Sequence, residues 1–269
     1  MIKHNKENYS LPVGESDLER MTMLGSIYDP FCYDFLFENG LKSGLKIADV
    51  GCGPGNATLW LAEQVGVTGK VIGIDRSDEQ LAILNRKILE KDVANISSYK
   101  ADIYEINQIK ESFDLVFCRF LFIHLSYPLA AIKKLKSLLK PGGSLIIAEL
   151  DNSTWFSYPE HEALRKDTEL LCATGGKKEM DFCIGLKLYG YLRKENFNFI
   201  NLKIAQPILF GNNRNYLLLK SKAWAKSYFD YGFASKTDLN IMTTRLKELI
   251  HNDEYLIGGA KMYLASGKN

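Results

Sequence analysis

The residues best suited to chemistry lie in one short turn, Asp49-Val-Gly-Cys-Gly-Pro-Gly. Gly51, Gly53 and Gly55 allow the backbone to turn sharply and to approach a ligand without a Cβ clash. The turn follows an apolar segment that we expect to be a strand, and open parallel sheets bind nucleotides outside the carboxyl ends of such strands. The pattern predicts that this turn contacts a ligand that contains a nucleoside.

Two common nucleotide motifs do not fit this turn. A dinucleotide motif requires G-x-G-x-x-G, and the last position counted from Gly51 is Asn56. A P-loop requires Gly-Lys-Ser/Thr, which the turn lacks. Asp49 would repel a pyrophosphate, whereas it suits a ligand that carries an ammonium group and a sulfonium.

Two further carboxylates follow the next strand-like segments. Asp75 ends Val-Ile-Gly-Ile-Asp and lies 24 residues after Gly51, the spacing expected for an acid that accepts hydrogen bonds from ribose hydroxyls. Asp102 follows the third segment. Either residue could instead cap the helix that comes after it.

Residues 46–150 resemble the class I, Rossmann-like methyltransferases that use S-adenosylmethionine, especially the small-molecule branch that includes the ubiquinone and menaquinone biosynthesis type. Lys-Ile-Ala-Asp-Val-Gly-Cys-Gly-Pro-Gly-Asn-Ala-Thr is similar to the first motif of that family. The resemblance implies that Asp102 binds the adenine amino group, that the Ile103 backbone meets the ring, and that Phe117-Cys-Arg-Phe lies near the methionine part. The cofactor residues predicted in this way are Tyr28, Asp49, Gly51, Cys52, Gly53, Gly55, Asp75, Arg76, Ala101, Asp102, Ile103, Cys118 and Arg119.

Some of these assignments have a plain structural alternative. Arg76 could stack on the adenine face, as an arginine plane can, or lie in solvent. Tyr28 and Phe31 could offer ring faces to the sulfonium or simply pack in the core.

The expected reaction is an in-line displacement that moves a methyl group to a small-molecule acceptor. Alignment and exclusion of water are the main tasks, and a general base helps only if the nucleophile must lose a proton. His124 is the catalytic candidate, with helix-start packing as its alternative. Glu149 and Asp151 end the fifth strand and could face the acceptor or solvent. A protein methyltransferase and an inactive cofactor-binding module are the alternative functions.

Strand-like and helical segments alternate five times along the first 150 residues. This order predicts a doubly wound, mostly parallel sheet, which two later strands complete to seven. The predicted strands are 46–50, 71–75, 96–101, 113–118, 144–150, 199–208 and 259–266. The predicted helices are 56–65, 79–90, 128–139, 154–174, 181–195 and a long aromatic-rich stretch at 213–249.

The chain divides into three predicted regions. Residues 1–40 contain a loose tail of about fifteen residues followed by two short helices. We expect the first helix to end before Pro30, because the residue before a proline leaves the helical region. Residues 41–153 form the cofactor core, and 154–269 add strands and a helical cap that shapes the acceptor pocket. The cap carries aromatic residues that either pack as core or lid, or line a pocket for a planar acceptor: Trp224, Tyr228, Phe229, Tyr231 and Phe233.

The composition is that of an ordinary globular protein of 269 residues, with 46% hydrophobic and 25% charged residues and a net charge of +2. The dispersed basic residues, and the lack of Asp/Asn-Pro-Pro-Tyr/Phe after the fourth strand, argue against a nucleic-acid substrate. The five cysteines show no C-x-x-C, so we expect neither a disulfide framework nor a zinc site. We predict no metal, no membrane span and a cytoplasmic location, and leave the oligomeric state open.

Overall fold

The computed structural model describes residues 17–109 and 112–269, so the predicted N-terminal tail lies outside the described residues. Helices and strands alternate along the first half and helices dominate the second. In chain order they are α1 (Leu18–Glu38), β1 (Lys46–Val50), α2 (Asn56–Val65), β2 (Lys70–Asp75), α3 (Asp78–Glu90), β3 (Ile96–Lys100), β4 (Phe113–Arg119), α4 (Pro128–Ser137), β5 (Leu139–Asp151), β6 (Phe156–Tyr158), α5 (Glu162–Lys177), α6 (Leu188–Lys194), β7 (Asn198–Ala205), α7 (Tyr216–Asp230), α8 (Lys236–His251), β8 (Leu256–Gly258) and β9 (Lys261–Lys268).

The main sheet has seven strands in the order β3-β2-β1-β4-β5-β9-β7. Strands β1 to β5 pair in parallel, and β9 runs antiparallel between β5 and β7. The inner strands are buried on both faces, which explains their near-continuous apolar sequence. The predicted doubly wound α/β sheet with helices added in the second half is confirmed.

The predicted break before Pro30 is wrong, because α1 continues through that proline to Glu38. Proline removes one backbone donor and crowds the preceding turn, which costs about 3 kcal/mol in a helix interior. Buried side chains lie on both sides of it, Tyr28 before and Cys32 and Phe35 after. Packing of both halves against the core therefore holds one continuous helix.

The aromatic stretch predicted as one helix over 213–249 forms two, α7 and α8. Gly232 between them has a φ of +71°, a left-handed conformation that interrupts a helix. Ser235 then starts α8 with a capping box, because its hydroxyl accepts from the Asp238 amide and the Asp238 carboxylate accepts from the Ser235 amide. The two helices contact one another in the cap and do not form one continuous helix.

Two other cap boundaries also differ from the sequence prediction. Residues 156–158 form β6, which pairs with β8 in a small separate sheet, and α5 begins only at Glu162, after Pro159. A 3₁₀ turn at Ile184–Lys187 precedes the shorter helix α6. Helices α1, α5, α7 and α8 contact one another and form the cap. Within residues 17–109 and 112–269, no helix has both the length and the apolar character needed to cross a membrane.

Candidate active site

A cavity of about 310 Å³ opens where β1, β2, β3 and β4 end, and the cap helices α1, α5 and α7 cover its other side. Its size falls within the usual range of small-molecule sites. Of the fourteen residues predicted to bind the cofactor or to act in catalysis, eleven line it: Asp49, Gly51, Cys52, Gly53, Asp75, Arg76, Ala101, Asp102, Ile103, Arg119 and His124. Tyr28, Gly55 and Cys118 do not line it.

The glycine turn forms the floor of the cavity. All three of its glycines have positive φ values, +76° at Gly51, +52° at Gly53 and +80° at Gly55, which side chains other than glycine adopt at a cost. A Cβ on Gly53 would meet no atom closer than Met21 Cε at 3.9 Å. The space over Gly53 is therefore open toward the cavity, as close approach of a ligand requires.

Asp49 ends β1 just before the turn and is only 2% exposed. Its Oδ2 atom accepts a hydrogen bond from Thr58 Oγ1 at 2.6 Å. Burial raises the pKa of this carboxyl to about 7, the Thr58 hydrogen bond opposes that shift, and the negative charge of Asp75 adds to it. A cation placed in the cavity beside Asp49 would relieve this penalty.

Asp75 connects the end of β2 to the glycine turn. Its Oδ2 accepts from the Gly53 amide and its Oδ1 from the Ser77 amide, both at 2.9 Å. Desolvation raises the pKa of Asp75, and these two amide hydrogen bonds act against the rise. The cap of α3 is Ser77, whose hydroxyl accepts from the Gln80 amide, so Asp75 organises the turn and the cavity wall without being the helix cap itself.

Asp102 performs the capping role that we considered and also lines the cavity. Its Oδ1 accepts from the Tyr104 amide at 2.9 Å and so starts the short 3₁₀ helix Ile103–Gln108. Its Oδ2 lies 3.8 Å from a guanidinium nitrogen of Arg76. The two interpretations of Asp102 are therefore compatible, and Arg76 is held at the same wall.

Tyr28 and Cys118 are placed away from the site. Tyr28 is fully buried, and its hydroxyl donates to the Ala260 carbonyl at 3.0 Å. Cys118 is buried among apolar residues within β4. Packing thus takes Tyr28 out of the candidate site, and the core alternative considered for it describes its position, as it does for Phe31, which packs on the same core.

Arg119 at the end of β4 reaches the cavity and pairs with Asp29 of α1. Its guanidinium also lies over the Phe120 ring, 5.4 Å from the centroid. Burial lowers the pKa of Arg119 to about 10, which still leaves it charged at neutral pH. This pair ties the first cap helix to the cavity wall.

His124 lines the cavity in the 3₁₀ turn Phe122–His124. Burial lowers its pKa to about 3, and the charges of Arg20, Arg76 and Lys178 contribute. A neutral imidazole of this kind exchanges hydrogen bonds well but removes protons weakly, because the efficiency of a general base follows its pKa.

The expectation that Glu149 or Asp151 faces acceptor or solvent is wrong. Both are buried and neither lines the cavity. Glu149 Oε1 accepts from the Phe122 amide at 2.5 Å and so holds the turn that carries His124. Burial raises the pKa of Glu149 to about 8, against several backbone hydrogen bonds. Asp151 accepts from the amide and hydroxyl of Ser153.

The cap side of the cavity contains residues that the sequence analysis did not identify. Of the aromatic set in the cap, only Trp224 lines the cavity. Tyr228 is buried beside Asp167, whereas Phe229 and Tyr231 are exposed. The residues missed on this side include Arg20, Leu171, Phe182, Tyr216 and Lys220. Arg20 and Lys220 stand in amphipathic helices, where a basic residue at such a position is typical of a solvated face. Among the described residues, no group of three or more metal-binding side chains could hold an ion.

Comparison with known proteins matches the model of a methyltransferase domain family to residues 41–202. A demethylmenaquinone methyltransferase of Staphylococcus saprophyticus is 37% identical over 44% of this chain and 49% of its own length. A Lactococcus lactis protein of the same name is 29% identical over 72% of this chain and 75% of its own. The chain spans about half the length of the first of these curated relatives.

Solved structures share the fold. A putative methyltransferase of Bacillus halodurans superposes with a TM-score of 0.57 at 14% identity, over 88% of this chain and 97% of that one. A Haemonchus contortus phosphoethanolamine N-methyltransferase 2 gives 0.55 at 15% identity, over 97% of this chain and 55% of that one. At these identities the likeness concerns the fold alone.

Proposed function

We propose that this chain, which belongs to the methyltransferase domain family, transfers a methyl group from S-adenosylmethionine to a small-molecule acceptor. The observation that carries the proposal is that Asp49, Asp75 and Asp102, from the ends of three neighbouring strands, surround one cavity floored by a glycine turn. The name of its curated relatives, demethylmenaquinone methyltransferase, supports a small acceptor.

The donors and acceptors of the site fit this cofactor. We assign Asp49 to its ammonium group, since a buried carboxyl whose pKa is raised to about 7 gains most from a nearby cation. Asp75 is assigned to the ribose hydroxyls, and Asp102 with the Ile103 backbone to adenine. The open space over Gly53 leaves room for the cofactor to approach the backbone. When bound, the cofactor supplies a methyl group on a sulfonium, which is already an excellent leaving group.

The chain itself then has to align the acceptor and keep water out. The cap side of the cavity presents Leu171, Phe182 and Trp224, whose apolar surfaces exclude water from the reacting atoms. His124 lines the same cavity as a neutral imidazole. We assign it a hydrogen-bonding role toward the acceptor rather than the removal of a proton.

A small acceptor is favoured over a protein because the cap covers the cavity with buried side chains. Leu171, Phe182, Tyr216 and Trp224 all line the cavity and are each less than a tenth exposed. An extended peptide could reach the cofactor side only by displacing them. A small, flat molecule fits without that cost.

Calorimetry with S-adenosylhomocysteine tests the cofactor assignment, and labelled S-adenosylmethionine with a cell extract tests the reaction. We expect binding at micromolar concentration. We also expect label to enter extractable small molecules in the presence of the wild-type chain, and to do so more slowly with Asp75→Asn. Label in the protein fraction would favour a protein methyltransferase. Binding without any turnover would favour an inactive module, and absence of binding would contradict the proposal altogether.

A further inference from the structure

Two cysteine side chains meet beside the cavity. Cys172 lies on α5 and Cys183 follows 11 residues later, just before the 3₁₀ turn Ile184–Lys187, and their Sγ atoms are 3.9 Å apart. Both cysteines are half-buried, so a small molecule can reach them from solvent. Their spacing in the sequence does not reveal the pair, because the chain between them has to fold back on α5 to create it.

Residues 178–183 form the fold-back loop that brings the two sulfurs together. Glu179 has a φ of +55°, and the Met180 amide donates to the Gly175 carbonyl at 3.0 Å, so the chain reverses at the end of α5. The Phe182 ring then packs on Gly175, where a Cβ would lie only 3.0 Å from Phe182 Cγ. The loop therefore lies against the same helix that carries Cys172.

The fold-back loop forms one side of the mouth of the cavity. Glu179 lines the cavity and is exposed, whereas Phe182 lines it and is only 3% exposed. The other exposed lining residues follow β2 and β4: Arg76, Ser126 and Tyr127. Exposed lining residues mark where the cavity opens to solvent, so a ligand that enters passes between these strand ends and the loop.

Non-covalent contacts hold this loop in place while the cysteines are reduced. The Phe182 carbonyl accepts from the amide and from the side chain of Asn152, at 3.0 and 2.9 Å. The last turn of α5 contains Gly175 and Gly176, and glycine is a poor helix former. A helix end of this kind opens more readily than a packed helix interior. A covalent bond between Cys172 and Cys183 would prevent that opening.

The two thiols differ in reactivity. The hydrogen bond between them lowers the pKa of Cys183 and raises that of Cys172, so Cys183 ionises first. The negative charge of Asp151 raises both pKa values, and the positive charge of Lys220 lowers that of Cys172. The thiolate is the reactive form of cysteine. The other three cysteines are buried, and burial raises the pKa of each: Cys32, Cys52 and Cys118.

We infer that Cys172 and Cys183 are a redox modification site, at which a small-molecule disulfide oxidises them to a disulfide that fastens the fold-back loop over the mouth of the cavity. Reduction releases the loop again. The inference goes beyond the proposed methyl transfer, and formation of the disulfide does not depend on it. Ligand entry is the step that the oxidised form slows.

The oxidation is a pair of thiol–disulfide exchange steps. The Cys183 thiolate attacks one sulfur of the small disulfide, forms a mixed disulfide and expels a thiolate, which takes a proton from water. Cys172 gives its proton to water and attacks Cys183 Sγ, which expels the second small thiolate to be protonated in turn. Two protein thiols are oxidised to one disulfide, and one small disulfide is reduced to two thiols. From 3.9 Å, the protein sulfurs need to approach by about 2 Å to reach bonding distance.

Mass spectrometry of the full chain after treatment with oxidised glutathione tests the pairing. We expect the wild type to lose both thiol hydrogens, peptide mapping to join Cys172 to Cys183, and dithiothreitol to restore the thiols. Hydrogen exchange tests the fastening, because the amides of the fold-back loop should exchange about tenfold or more slowly in the oxidised chain. No disulfide, a disulfide with another cysteine, or unchanged exchange in the loop would overturn the inference.

Single variants test the order of the two steps. Cys172→Ser should stop at the mixed disulfide between Cys183 and glutathione, whereas Cys183→Ser should stay almost unmodified, because the remaining thiol is the one with the raised pKa. The control Cys32→Ala, at a buried position, should still form the disulfide and protect the loop. If one serine variant fails to fold, the other and the wild type still decide the matter. The reverse order of reactivity would contradict the assignment of Cys183 as the attacking thiol.

Stopped-flow mixing with S-adenosylhomocysteine measures ligand entry, with tryptophan fluorescence as the signal because Trp224 lines the cavity. Oxidised wild type should bind about tenfold or more slowly than reduced wild type, and the same treatment should leave the rate of Cys183→Ser unchanged. Equal rates in the oxidised and reduced wild type would overturn the role of the loop at the mouth. If the reduced chain does not bind the ligand at all, the proposed function fails, and mass spectrometry and hydrogen exchange still decide the redox site.

Discussion

The buried carboxyl of Asp49 makes a pH-dependent cofactor affinity the sharpest prediction. Burial raises its pKa from the ordinary 3.8 to about 7 in the ligand-free chain. A cation beside it favours the ionised form, so binding must expel the proton that Asp49 holds below pH 7. Affinity should therefore be constant above about pH 7 and fall as the pH drops below it.

The size of the effect follows from the same two pKa values. If the bound cation returns the carboxyl to its ordinary pKa, affinity falls about tenfold for each pH unit below 7. Between pH 8 and pH 5 the loss is then about a hundredfold, or roughly 2.7 kcal/mol. Asp49→Asn has no proton to expel, so its affinity should be weak at pH 8 and show no such slope.

Calorimetry with S-adenosylhomocysteine at pH 5, 6, 7 and 8 measures this slope, and buffers of different ionisation enthalpy measure the proton released. Thr58→Val removes the hydrogen bond that stabilises the ionised carboxylate, so it should move the midpoint above pH 7. The control is Asp114→Asn, since Asp114 is the second residue of β4, accepts from the Lys46 amide and does not line the cavity. A flat wild-type curve, or the same slope in Asp49→Asn, would refute the assignment of Asp49 to the ammonium group.

Two further predictions concern the other wall residues. Asp75→Asn should weaken S-adenosylhomocysteine binding by about 1–3 kcal/mol, because charged hydrogen bonds to the ligand are lost. Calorimetry measures this loss, and the control Asp78→Asn, at an exposed neighbouring position, should leave the affinity unchanged. Equal affinities of the two variants would count against the ribose role of Asp75. His124→Gln should leave the shape of the pH–rate profile between pH 5 and 8 unaltered, because burial lowers the pKa of His124 to about 3. A wild-type inflection near pH 6.5 that disappears in the variant would instead identify His124 as the general base.

The sheet and the cofactor side could be predicted because their information is local in sequence. Strands buried on both faces of a parallel sheet are apolar throughout, and this made β1 and β4 visible as short runs. Carboxylates that directly follow such strands must come together at one edge of the sheet. The positions of Asp49, Asp75 and Asp102 around one cavity follow from that rule.

The cap side of the cavity could not be predicted because packing between elements that are distant in sequence creates it. Lys220 on α7 is buried beside its carboxylate partner Asp167 of α5, which is 53 positions away in the sequence. Arg20 has its partner Asp17 only three residues away, but its burial depends on the packing of α1 against the distant helix α7. The helix break predicted before Pro30 is wrong for a related reason, since the burial of α1 outweighs the local preference of the residue before a proline for a non-helical conformation. Glu149 lies inside the fold, where its carboxylate accepts a hydrogen bond from the Phe122 amide.

The three glycines of the turn look equivalent in sequence, but Gly53 and Gly55 have different surroundings in the structure. A Cβ on Gly53 would enter open cavity space, whereas a Cβ on Gly55 would lie only 2.3 Å from Leu84 Cδ1 of α3. Both alanine variants incur left-handed strain of about 1–2 kcal/mol, and Gly55→Ala adds overpacking of about 1–3 kcal/mol.

Urea unfolding and S-adenosylhomocysteine calorimetry distinguish the two variants. Gly53→Ala should lose affinity at a modest cost in stability, because its methyl group occupies space meant for the cofactor. Gly55→Ala should lose more stability than Gly53→Ala. The cost of Gly55→Ala should be smaller in a Leu84→Ala background, measured against Leu84→Ala alone, because that change removes the clashing methyl group. Equal stability losses in the two variants, with no relief from Leu84→Ala, would mean that both glycines serve only backbone conformation; the close packing of the turn on α3 would then not be what keeps the floor of the cavity in place.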